Sequence, residues 1–153
     1  MYILHVLFVV NFMHQMRIWV ILRGYVLRVL IAQQNIELGK LWAGFLEREG
    51  IRTTLVVSQS EALAQLRAQD FDALVLEMVL PDGGAIAIAD FAAYRMPEVP
   101  IITVNSSSFF SDGSIFDLLP NVHSVMQAPV GGEDLAAMVS YLKSKRQARP
   151  SAP

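Results

Sequence analysis

The chain has 153 residues, a formal net charge of -2, 54% apolar residues and no cysteine. That length suits one domain with a real core, and the near-neutral charge with no Lys/Arg stripe argues against a nucleic-acid footprint. Without cysteine there is no disulfide framework, thiol nucleophile or thiolate metal site, which fits a reducing, cytoplasmic setting.

Much of the apolar excess sits in residues 1–26, MYILHVLFVVNFMHQMRIWVILRGYV, where His5, Asn11, His14, Gln15 and Arg17 interrupt the run. A spanning helix wants about 20 largely apolar residues, and Arg17 near the middle is costly. No basic start or small-residue cleavage site marks a signal peptide. Three readings compete: a weak membrane segment, an extra helix or strand packed on the domain, or an extension outside the domain from a start assigned too far upstream, with Met13 and Met16 as later starts.

From Leu27 the pattern becomes regular. Leu27 to Ala32 reads as a strand ended by Gln33-Gln34-Asn35, and Asn35 suits the N-cap of a helix over Ile36 to Glu49, where Ile36, Leu38, Leu41, Trp42, Phe45 and Leu46 recur at helical spacing before Gly50. Thr53 to Val57 is a short β-branched strand, and Ser58 or Ser60 caps a helix from Glu61 to about Ala68. Phe71 to Glu77 forms the third strand, an apolar run ended by one carboxylate and followed by the turn signal Pro81-Asp82-Gly83-Gly84. Glu77 stands where sites gather in an open parallel sheet, although a solvated strand-end acid is the plainer reading. Asp82 reads as a turn residue.

A helix over Ala85 to Ala93 is followed by a fourth strand, Val99 to Val104. Asn105 to Ser114 is polar and Ser-rich, a loop or a poorly formed helix start, with one helical turn expected at Ile115 to Leu119. Val122 to Met126 is the fifth strand, and Glu133 to Lys145 an amphipathic helix; residues 147–153 form a tail. His5, His14 and His123 lack a metal spacing, and His123 reads as a loop residue. Five alternations of strand and helix with short connections predict a flavodoxin-like α/β domain over 27–146: a doubly wound, five-stranded parallel sheet with helices on both faces. Right-handed crossovers bring Gln33, Gln34, Glu77, Asn105, Ala128 and Pro129 to one rim.

By position and spacing those rim residues resemble the receiver domain of two-component response regulators. VLIAQQN resembles the family's first strand, with Gln33 and Gln34 at the usual acid pair. FDALVLEMVLPDGG resembles its third strand, with Glu77 at the phospho-acceptor aspartate and the Leu-Pro-Asp turn after it. Val99-Pro100-Ile101-Ile102 resembles the fourth, placing Asn105, or Ser106 beside it, at the hydroxyl position, and Met126-Gln127-Ala128-Pro129 resembles the Lys-Pro ending of the fifth with Ala128 in place of lysine.

The resemblance implies signalling through phosphoryl transfer on Mg²⁺, and all four chemical positions depart from it. The expectation is therefore a non-catalytic pseudo-receiver with no metal or other cofactor. It is a stand-alone signalling or scaffold domain of a phosphorelay that binds a protein partner such as a histidine kinase or phosphotransfer protein. Neutral amides at Gln33, Gln34 and Asn105 would donate to Glu77 in a metal-free hydrogen-bond cluster, unless they point into solvent at a decayed site. A homodimer is compatible with this reading. The rivals are a phosphorylatable single-domain regulator with an atypical acceptor, and a membrane-tethered regulator if residues 1–26 insert.

Overall fold

The computed structural model describes residues 26–106, 117, 119 and 121–147. The elements are β1 (Arg28–Ala32), α1 (Ile36–Arg48), β2 (Arg52–Val56), α2 (Gln59–Ala68), β3 (Ala73–Glu77), β4 (Val79–Leu80), β5 (Gly83–Gly84), α3 (Ala85–Arg95), β6 (Ile101–Asn105), β7 (Val122–Gln127) and α4 (Gly132–Gln147). The N-terminal extension, most of the expected loop and helical turn between Asn105 and Leu119, and residues 148–153 lie outside the described residues.

Five strands form one parallel sheet in the order β2-β1-β3-β6-β7. Side chains of a strand point alternately to its two faces, and here both faces are apolar. Leu30, Leu74, Leu76 and Ile101 pack with Ala62 and Leu66 of α2 and Ile88, Ala89 and Ala92 of α3. Val29, Ile31, Val75, Ile102 and Val104 pack with Trp42 and Leu46 of α1 and Leu135 and Val139 of α4. The central strands β3 and β6 are buried along their whole length, whereas the edge strand β2 is half-buried through its middle. This is the flavodoxin-like arrangement expected from the alternation.

Several boundaries differ from the sequence reading, for physical reasons. Helix α2 starts at Gln59, two residues early, because its first amides are capped from both sides of the chain. Ser58 accepts from the Glu61 amide, and Asp82 accepts from the amides of Gln59 (2.7 Å) and Ser60 (3.0 Å) and from the Ser60 hydroxyl. Asp82 is therefore more than a turn residue: it caps a helix 22 positions away in sequence. The turn that carries it closes a two-stranded hairpin, β4 with β5. Gly84 makes a close approach there, since a Cβ would lie 2.1 Å from the Met78 carbonyl oxygen.

Strand β6 runs through Asn105 rather than stopping at Val104, because Asn105 stays in register with Gln127 of β7. His123 lies in β7 and is exposed, rather than in a loop. Helix α4 extends to Gln147, one residue into the expected tail. Among the described residues no helix is long and apolar enough to cross a membrane.

Candidate functional site

The parallel register builds the rim. Ala32 pairs with Leu76, so Gln33, next in β1's direction, comes beside Glu77 at the end of β3. Glu77 pairs with Val104, and Asn105 pairs with Gln127, which brings Ser106 and Ala128 to the same edge. The Ala128 amide donates to the Asn105 carbonyl at 2.9 Å, and the Ala128–Pro129 peptide is cis. All the rim positions expected from sequence are gathered at the carboxyl ends of the strands.

Glu77 is not a solvated strand-end acid; it is only 5% exposed. The apolar run that makes β3 the centre of the sheet also draws its last residue into the interior. A buried carboxylate needs donors, and Gln34 supplies two. Its main-chain amide reaches one carboxylate oxygen at 3.1 Å, and its side-chain amide reaches the other at 3.3 Å. The Ser106 hydroxyl donates to that second oxygen at 3.4 Å.

The three residues that end β1 divide their work. Gln33 is expected to donate to Glu77, but its side-chain oxygen accepts from the Asn35 amide at 2.9 Å, and the residue is 2% exposed. It braces the turn that lets Asn35 cap α1, where Asn35 accepts from the Leu38 amide. With Gln33 committed to the turn, the chain delivers Gln34 over Glu77. Asn105 is fully buried at the end of β6. Of the two residues considered for the hydroxyl position, Ser106 is the one whose side chain bonds Glu77.

These residues line a cavity of about 620 Å³. Its lining is polar at Gln33, Gln34, Asn35, Glu77 and Ser106 and apolar at Leu38, Trp42, Val104, Ala128, Pro129 and Val130. The Trp42 indole donates to the Val130 carbonyl at 3.0 Å, fixing α1 against the segment that leaves β7. Leu38 and Trp42 are legible in the sequence as inner helix positions, but nothing local to them signals that the helix reaches the rim.

A hard divalent cation needs several oxygen ligands carrying negative charge. Among the described residues the rim offers one carboxylate, already accepting three hydrogen bonds, and the side-chain oxygen of neighbouring Gln33 is committed to the Asn35 amide. The residues present do not fit Mg²⁺. Among the described residues no three His, Asp or Glu side chains gather elsewhere into a metal-binding group. At Asp82, hydrogen bonds from the Ser60 hydroxyl, then from the Ser60 and Gln59 amides, lower the pKa.

No protein-family model matches the sequence, and no curated protein does. Solved structures do. The chain is similar to a CheY-like response-regulator receiver domain protein from Methanospirillum hungatei, at 21% identity and a TM-score of 0.73, over 82% of this chain and 100% of that one. It is also similar to a receiver domain of a Francisella response regulator, at 19% identity and a TM-score of 0.69, over 78% and 98% of the two chains. A CheY-like receiver domain from Methylobacillus flagellatus matches at 19% identity and a TM-score of 0.65, over 77% and 99%. The chain has the fold of response-regulator receiver domains, and the match spans nearly the whole length of each of these solved domains.

Proposed function

We propose that this domain is a pseudo-receiver: a signalling or scaffold module of the two-component type that works by binding a protein partner and performs no phosphoryl chemistry of its own. One observation carries the reading. The carboxylate at the acceptor position, Glu77, is buried and held by neutral donors, Gln34 and Ser106. The positions that would hold a cation and pair with a phosphoryl group carry Gln33, Gln34 and Ala128. In-line attack on a phosphodonor needs a free oxygen, a metal to gather the donor's oxygens, and a cation to meet the charge that develops. Glu77 is buried and already accepts three hydrogen bonds, and among the described residues the rim supplies neither a metal site nor a cationic side chain.

The role left to such a fold is recognition. The partner is a histidine kinase, a phosphotransfer protein or another protein of a phosphorelay, met in the cytoplasm through the face around β6, β7 and α4. Exposed Tyr141 on α4 offers an aromatic contact there. Incubation with acetyl phosphate, phosphoramidate or a histidine kinase, read by intact mass and phosphate-affinity gels, tests the chemistry. The expected result is no acid-labile phosphorylation of Glu77 and none of Ser106. A phosphorylated species that is lost in Glu77→Gln would overturn the reading in favour of an atypical acceptor.

A further inference from the structure

We propose that the rim cavity is a binding site for a small organic monocation, a protonated amine or amidinium with a short apolar body. The inference does not depend on whether a signalling protein docks on the domain. Its starting point is an unbalanced charge. A carboxylate as buried as Glu77 is ordinarily paired with a cation, yet every donor to it among the described residues is neutral. Among the described residues, the cavity lining contains no Lys, Arg or His.

The ligand class follows from charge, valence and shape. One carboxylate balances one positive charge, so a monocation leaves nothing uncompensated, whereas a divalent ion would remain half-neutralised among amides. A carboxylate accepts about four hydrogen bonds. Glu77 receives two at one oxygen and one, from the Gln34 main-chain amide, at the other, so the oxygen bonded by that main-chain amide keeps a lone pair for an ammonium or amidinium N–H. The rest of the lining includes the apolar side chains of Leu38, Val104, Ala128 and Pro129. It suits a short hydrocarbon or ring body that water solvates poorly. The volume of about 620 Å³ falls within the roughly 300–1,000 Å³ usual for small-ligand sites. Ala128 matters twice: its small side chain leaves the space open, and it puts no charge in competition for Glu77.

Titration of the whole chain with n-butylammonium and benzamidinium, followed by the amide NMR signals of Gln34, Ser106 and Ala128, tests the site. Butyramide, butyrate and Mg²⁺ serve as the comparison arms. The expected result is saturable shifts with the two cations and none with the neutral or anionic analogues or with Mg²⁺. Glu77→Gln should weaken cation binding by about tenfold or more. Ala128→Lys, which places a competing cation at the cavity wall, should abolish it while the rest of the spectrum stays native; this variant decides the matter if Glu77→Gln fails to fold. Equal shifts with amine, amide and carboxylate would overturn the proposal. So would saturation by Mg²⁺ alone, or cation binding that survives in a folded Ala128→Lys.

Discussion

At the scale of single residues, the rim reads as a charge held without a counter-charge. Replacing Glu77 by Gln keeps the shape but turns an acceptor-only group into one with an NH₂, which then faces the Gln34 side-chain amide or the Ser106 hydroxyl. Charge-assisted hydrogen bonds are lost, and the expected destabilisation is about 1–3 kcal/mol, measurable by urea unfolding. Under a static role, affinity for a signalling partner changes only as far as folding does; intact stability with abolished partner binding would sink that role. Asp82 gives a second test. Its pKa is lowered in the folded state by Ser60 and Gln59 from an ordinary value of 3.8. Its contribution is therefore fully present above that value and is lost as the pH falls through the lower, folded value. Asp82→Asn should flatten the dependence of unfolding free energy on pH below about pH 4 relative to the parent chain; parallel curves for the two proteins would refute the capping account.

At the scale of elements, the hairpin β4–β5 and helix α2 form one unit although a strand separates them in sequence. Asp82 caps α2, and the Gln59 side chain accepts from the Gly84 amide at 2.9 Å, so each end fixes the other. Gly84 has an extended φ of 170° that any residue adopts, so its constraint is one of space. An added Cβ meets backbone, the Met78 carbonyl, which cannot swing away as a side chain end does. Gly84→Ala should cost roughly 1–3 kcal/mol and weaken amide protection in both the hairpin and the first turn of α2. A neutral effect in hydrogen exchange and thermal melting would mean that the hairpin shifts freely and is not coupled to the helix.

At the scale of the whole molecule, the sheet is complete within the described residues, and both of its faces are covered by helices drawn from them. A protein beginning at Leu27 should therefore fold with a cooperative melt and the circular dichroism of an α/β domain. Leu27 is itself partly buried against the α1–α4 side, and its carbonyl accepts from the Arg52 amide, so truncation beyond it should be felt. Insolubility or a broad melt in the shortened protein, with the full chain folding normally, would assign residues 1–26 to the core.

The alternation of apolar runs and amphipathic helices by itself determined the fold, because burying both faces of a parallel sheet demands continuous apolar strands such as Ala73 to Leu76 flanked by helical periodicity. It also determined which residues reach the rim, since strand direction and crossover handedness leave one edge for all the carboxyl ends. Asn35 was legible as a cap for the same reason: capping is a contact over three residues. What the sequence did not contain was the pairing of polar groups across strands. Gln33 and Gln34 are chemically identical, and only the turn geometry after β1 commits the first to the Asn35 amide and the second to Glu77. Asp82 reads as a turn residue until the fold lays its turn against the start of α2, and Glu77 reads as solvated until its neighbours close over it. Hydrogen-bond partners and burial depend on distances in space between segments far apart in the chain, and only the tertiary structure fixes those distances.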